Sequence, residues 1–186
     1  MSSCYNFFMQ RFLLPGFTAI VLLGTAIGNA QTKDAPPPAP DAIQAPAGTE
    51  VVLLAHASGS QIYTCQAGPD GKFSWTLKAP QAELRDRNNN VIGEHSAGPT
   101  WTLKDGSAVT GKASAHVDSP DSGSVPWLLI DVVNHSGKGL LDNVTAIQRV
   151  HTHGGKAPAD GCDASHRDAE AKSSYTADYY FYAPGH

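Results

Sequence analysis

The sequence predicts an all-β fold: a single-domain antiparallel β-sandwich or barrel of about nine strands. Three observations lead there. From Glu50 onward, short runs of β-type residues are broken by clusters of Gly, Pro, Asn, Asp and Ser, the pattern of strands separated by turns. No segment sustains the 3.6-residue apolar period that an amphipathic helix shows over a window of about eleven residues. The runs do not resemble one another, which argues against a propeller or another repeat architecture.

Each run has its own justification. Val51 to His56 is apolar enough for a buried strand. Gln61 to Cys65 alternates, with Tyr63 and Cys65 on the face opposite Ile62. Gly68-Pro-Asp-Gly71 is a turn, and Phe73, Trp75 and Leu77 then share one face. Ala82 to Arg85 and Val91 to Glu94 flank the polar turn Asp86 to Asn90. Gly98-Pro99 stops one run and pre-sets the next, because Pro fixes φ and lacks an N–H. Thr100 to Leu103 and Ala108 to Val117 flank Asp105-Gly106, a hairpin signal because both residues tolerate positive φ. Trp127 to Val133 is the most apolar run and lacks alternation, which predicts a central strand covered on both faces. Val144 to Val150 alternates weakly, Asp163 to Lys172 suggests a short helix, and Tyr175 to Tyr182 sets Tyr175, Ala177, Tyr179 and Phe181 against Thr176, Asp178, Tyr180 and Tyr182.

Residues 1–30 read as a secretory signal peptide. Arg11 precedes an apolar run from Leu13 to Ile27, and Gly28-Asn29-Ala30 offers small residues for cleavage after Ala30. The run falls short of the roughly 20 apolar residues that span a membrane, so no transmembrane anchor is expected after cleavage. The expected location is secreted or periplasmic. Residues 31–46, with five prolines and four alanines, read as an extended, semi-rigid leader, and residues 47–186 as the β domain. After cleavage the 13 Lys and Arg, less Arg11, stand against 17 Asp and Glu, a formal charge of −5. That balance excludes nucleic acid or an anionic membrane as the main partner. Two cysteines then remain, Cys65 and Cys162. In an exported chain a pair reads as a disulfide, and neither sits in the C-x-x-C of a redox or metal motif.

A group of residues carries a family resemblance: Gln61 to Cys65, His95 with Ala97 to Trp101, Asp105 to Ser107, Pro126 to Leu129, Ile147 to Arg149, Gly154-Gly155, Cys162 and Tyr179 to Tyr182. Together they resemble the DUF3455 proteins, exported bacterial and fungal domains of unknown function, over about residues 40–182. The resemblance implies export and a β-rich domain and transfers no catalytic residue. Histidines at 151 and 153 depart from the family pattern, so a function resting on both would be particular to this chain.

The chemistry is carried by few residues. His151-Thr-His153 puts two imidazoles on one face if the segment is a regular strand, a start for Cu or Zn that His95, His116 or His135 would have to complete. The competing reading is two solvent-facing residues at a strand end. No other cofactor is suggested. His95 has Glu94, Asp105 and Asp131 as candidate carboxylate orienters for general-base work, but Glu94 neighbours it in sequence and points to the opposite face. Its structural role would be to donate to a backbone carbonyl and pin the Gly98-Pro99 corner. Arg149, if inward, needs a carboxylate such as Asp131 or Asp105, or else marks an anion pocket. Trp101 and Trp127 read as core, whereas Tyr180 and Tyr182 read as the exposed aromatics. The candidate binding set is thus His95, Trp101, Asp105, Arg149, Tyr180 and Tyr182. The function this supports is a non-enzymatic exported module binding a small ligand, wall component or protein. The alternative is a small exported enzyme or metal-binding protein using His95 with His151 and His153.

Overall fold

Apart from Met1, the computed structural model describes residues 34–185, so the expected signal sequence, residues 1–30, lies outside the described residues. Two of the longest strands each join two runs that the sequence separates. β1 (Thr49–Ala67) runs through Gly59 and Ser60. Gly59 does not break it because the backbone of the next strand comes too close for a side chain: a Cβ there would lie 2.1 Å from the Gln81 carbonyl oxygen. β2 (Phe73–Arg85) continues through Pro80, which sits beside the register shift at Ile62/Tyr63, the setting in which a strand tolerates proline. The remaining strands are β3 (Val91–Ser96), β4 (Thr100–Leu103), β5 (Ala108–Val117), β6 (Trp127–Ser136), β7 (Ala146–Gly154) and β8 (Glu170–Pro184).

Each strand pairs antiparallel with the next, and β8 returns to β1 from Thr49↔Pro184 to Thr64↔Glu170. The sheet closes as a barrel of eight strands, resolving the expected sandwich or barrel and the count of about nine. Closure sorts side chains by parity, inward and outward in turn along every strand. Trp101, Val109, Leu84, Ile147, Tyr179 and Phe181 fill the interior. Gly111 makes room for the largest of them, since a Cβ there would meet Trp101 at 3.2 Å and Ile130 at 2.4 Å.

A second apolar cluster lies on the outward face of β1, β7 and β8. Val51, Ala146, Val150, Tyr180 and Tyr182 meet Ile43 there, with Leu54, Trp127 and Leu129 beside them. Ile43 belongs to a 3-10 turn, Asp41–Ile43, within the expected leader. Its side chain is fully buried, and the Gln148 amide donates to its carbonyl at 2.7 Å. Tyr182 donates to the other end of that amide, Oε1, at 2.8 Å. The leader is therefore docked from Ala39 to Ala45 rather than extended throughout, and Tyr180 and Tyr182, expected to be exposed, are buried beneath it. Trp127 is half-buried in this outer cluster and not in the interior.

Two further expectations change. β6 is not covered on both faces: Val133 is 63% exposed, because a closed barrel has no central strand. The segment from Asp163 to Lys172 is not a helix. One 3-10 turn, Ala164–His166, is capped by Asp163 accepting from the Ser165 backbone N–H, and β8 starts at Glu170. The expected disulfide joins Cys65 to Cys162 with Cα atoms 5.3 Å apart. It ties the 155–169 connection onto the end of β1, where Trp75 also donates to the Asp160 carbonyl at 2.9 Å. Among the described residues no helix is long and apolar enough to cross a membrane.

Truncating Ile43 to Ala should lower stability by about 2–5 kcal/mol, the range for emptying a buried aliphatic site. Urea unfolding followed by Trp fluorescence measures it, and an unchanged midpoint would mean that the leader does not hold to the barrel in solution.

Candidate functional site

The barrel interior is not filled throughout. Near the β3–β4 turn the aromatic packing gives way to a cavity of about 180 Å³. Leu77, Pro80 and Pro99 stand at its rim, Leu128, Ile130 and Ala113 form an apolar wall, and Gln61, His95, Trp101, Arg149 and Tyr179 supply polar groups. Inward parity places them: Gln61 and Tyr63 alternate along β1, Ile147 and Arg149 along β7, Tyr175 to Phe181 along β8.

His95 lies flat on Trp101, ring centroids 4.3 Å apart and planes 8° apart, with Tyr179 edge-on to both. Its Nδ1 is 2.9 Å from the Thr100 carbonyl oxygen. A carbonyl can only accept, so Nδ1 carries the proton and Nε2 keeps its lone pair. Burial lowers the His95 pKa from 6.5 to about 4, with Arg149 pushing the same way and the Thr100 hydrogen bond opposing. At neutral pH the ring is an uncharged acceptor. The expected bond from His95 to a backbone carbonyl at the Gly98-Pro99 corner is present.

Arg149 points into the barrel, but neither Asp131 nor Asp105 pairs with it. Its Nε and Nη2 both donate to the Pro126 carbonyl oxygen, at 3.1 and 2.8 Å. No carboxylate of a described residue pairs with the guanidinium, and Nη1 makes no hydrogen bond to one. Its charge reaches the surrounding phenols, opposing the burial that raises the Tyr63 and Tyr175 pKa values. Two buried polar atoms of the lining lack a partner here, Gln61 Oε1 and Trp101 Nε1, while the Tyr175 and Tyr179 hydroxyls interact with each other. Buried polar groups are satisfied in the great majority of cases, so this concentration in one lining sets the cavity apart from the rest of the interior.

The other sequence candidates lie elsewhere. Asp105 is a staple in an exposed turn. Oδ1 accepts from the Ser107 N–H and hydroxyl at 2.8 and 2.7 Å, and Oδ2 accepts from the Leu140 N–H at 2.8 Å. Those bonds, that from Leu140 first, hold its carboxyl below the usual range. His151 and His153 do not join His95. In an unbroken strand both would share the inward face of Arg149. A register shift between Val150 and His153, with His151 at φ 48°, turns them to solvent instead. His151 Nδ1 sits 2.8 Å from Asp178 Oδ2, and His153 Nδ1 is 3.7 Å from Asp121. His135 is 2.8 Å from the Val144 carbonyl, and His116 is exposed. Among the described residues no three His, Cys, Asp or Glu side chains are arranged to hold a metal ion.

Sequence reasoning missed His56 and Asp178. Asp178 Oδ1 is 2.6 Å from His56 Nδ1, so one carboxylate bridges His56 of β1 and His151 of β7 across β8, beside an outer groove of about 350 Å³. Only the β1–β8 register, His56↔Asp178, reveals the pair. Gln61 was legible as inward, sharing a face with Tyr63 and Cys65; a polar residue on that face was the available signal.

The His95 environment makes a pH prediction. Its folded pKa lies below the unfolded value of 6.5. The stability it contributes is therefore complete above pH 6.5 and is lost as pH falls toward 4, on the order of 3 kcal/mol for such a shift. Urea midpoints should fall over that window in the native protein and less steeply in His95→Gln. An imidazole NMR titration of His95 centred near pH 6.5 would overturn the assignment.

Residues 46–183 match the family described as protein of unknown function, DUF3455, and the chain belongs to that family. No curated protein and no solved structure matches the chain.

Proposed function

We propose that this DUF3455 domain is an exported, non-enzymatic binding module that holds a small ligand in the mouth of its barrel, at the cell surface or in the periplasm. The cavity beside Trp101 carries the reading, through its unpartnered buried polar atoms and an inward arginine without a carboxylate. Eight-stranded barrels have interiors just wide enough to hold one small ligand. Ligand sites are largely apolar with a few converging polar groups, and this lining has that composition. A protein or wall component remains the partner for which no comparable surface argues. Export is supported by the signal-like residues 1–30 and by the Cys65–Cys162 pairing, which suits an oxidising compartment.

A second reading is a small exported enzyme. Its support has moved from His95, a weak base whose Nδ1 is committed to Thr100, to the outer groove, where Asp178 orients His56 and His151. A histidine oriented by a carboxylate is the general-base arrangement. A hydrolytic activity abolished by either His56→Asn or His151→Asn would favour it.

Two outcomes follow from the first reading. A fragment library screened by amide NMR should produce hits whose shifts concentrate at Gln61, His95, Trp101, Arg149 and Tyr179. Ala113→Phe, which enlarges a side chain in the cavity wall, should remove them without lowering the melting temperature by more than a few degrees. Hits scattered over the outer surface, or surviving Ala113→Phe, would sink the ligand-site reading. Separately, N-terminal sequencing of protein recovered from its native host should begin at Gln31; a cytosolic protein retaining residues 1–30 would remove the export claim.

A further inference from the structure

We propose that the cavity takes a small planar organic acid, its carboxylate docked on the Nη1/Nη2 edge of Arg149 and its apolar body lying against Leu128, Ile130 and Trp101. This rests on the reading of the cavity as a ligand site and adds the ligand's chemical class.

Size comes first. The cavity measures about 180 Å³. One water needs roughly 10–30 Å³, while an engineered apolar cavity of about 150 Å³ holds benzene. The space therefore suits one ring with a substituent or two, and not a polymer segment.

Charge comes next. A guanidinium inside a protein is costly unless a carboxylate or a full set of acceptors faces it. Here the Pro126 carbonyl occupies the Nε/Nη2 edge. The Nη1/Nη2 edge keeps two parallel N–H donors, the fork that matches a carboxylate two-pronged. An inorganic anion would satisfy the fork but leave Leu128, Ile130, Pro80 and Pro99 facing water. An acid with an apolar body satisfies both parts of the lining.

The remaining polar atoms refine the class. Gln61 Oε1 is an acceptor and Trp101 Nε1 a donor without a partner, and His95, with Nδ1 committed to Thr100, keeps its Nε2 lone pair as an acceptor. A ring hydroxyl both donates and accepts, so a hydroxylated aromatic acid meets more of the lining than the unsubstituted acid does. The uncharged state of His95 matters to this argument, because an imidazolium would donate at Nε2 instead of accepting.

The test is calorimetric titration of the protein, produced from the full chain, with 4-hydroxybenzoate, benzoate, benzamide and inorganic phosphate. Benzoate should bind at least about tenfold more tightly than the isosteric but uncharged benzamide, as expected of a charge-assisted bidentate pair. 4-Hydroxybenzoate should bind tighter still, and phosphate should give no heat at the same concentrations. Arg149→Met should erase the benzoate–benzamide difference and Arg149→Lys should retain part of it. If Arg149→Met fails to fold, by near-UV circular dichroism, the wild-type comparison decides alone. Equal binding of benzoate and benzamide overturns the acid and leaves the ligand site standing. So does failure of both acids while the NMR screen still finds neutral fragments in the cavity. Failure of every probe, with no fragment reaching the cavity residues, removes both readings.

Discussion

Closure of the sheet is the constraint on which everything else depends. The pairing of β8 with β1 across Thr49 to Thr64 removes both edges of an eight-stranded sheet and so removes the usual route to edge-to-edge aggregation. It also forces every strand to commit one face to a shared interior of fixed diameter. Trp101, with Tyr179 and Phe181 each edge-on to it, fills that interior with them along part of its length. Toward the β3–β4 turn the inward positions pass to Gln61, His95, Ala113 and Arg149, and the packing opens into a cavity. The site is thus a consequence of which residues occupy one layer of inward positions, with no additional element needed to build it.

Closure has a second consequence on the outside. A closed barrel buries only its inward face, so apolar residues on its outer face need another cover, yet Val51, Val150, Tyr180 and Tyr182 lie there. The Pro-rich segment resolves this by laying Ile43 on them, and Gln148 joins the two layers by donating to the Ile43 carbonyl while accepting from Tyr182. The amide has to be inside this contact because the 3-10 turn would otherwise bury an unsatisfied carbonyl. A segment that composition alone marks as a spacer is, from Ala39 to Ala45, part of the domain's packing.

The fold was legible in the sequence because alternation in strands is a local property. The faces of Tyr175 to Tyr182 were read correctly residue by residue, as were β4, β5 and the Cys65–Cys162 pair. What failed was reading exposure from polarity. Tyr180 and Tyr182 lie on the outward face as expected, but outward is not exposed when another segment covers it, and no pattern within β8 announces the leader. Likewise the gaps left between runs at residues 57–60 and 78–81 are continuous strand, since the close approach of β1 to β2 that accommodates Gly59 and Pro80 there is a pairing fact, absent from either run alone. The site was half legible: His95, Trp101 and Arg149 were picked out, but their convergence required the closed sheet, and Asp131 and Asp105 were plausible partners for Arg149 only while strand order was unknown.

The separation of the histidines from the arginine follows from a single irregularity. Arg149, His151 and His153 sit at alternate positions of one segment, and a regular strand would turn all three inward. His151 instead adopts φ 48°, a left-handed conformation that costs a non-glycine residue of order 1–3 kcal/mol unless its surroundings hold it. They do so on both sides. The next residue, Thr152, is buried and donates to the Val125 carbonyl at 2.6 Å, and His151 itself is held by Asp178 and lies edge-on to Trp127. The bulge therefore keeps two more imidazoles out of an interior that already carries a half-buried arginine, and gives them carboxylates on the surface. Inside, it leaves Arg149 as the one full charge of the cavity lining at neutral pH, with a neutral histidine beside it. A regular β7 would have set two more imidazoles into successive inward layers beyond Arg149, each needing a buried hydrogen-bond partner, whereas the bulge gives them Asp178 and Asp121 at the surface.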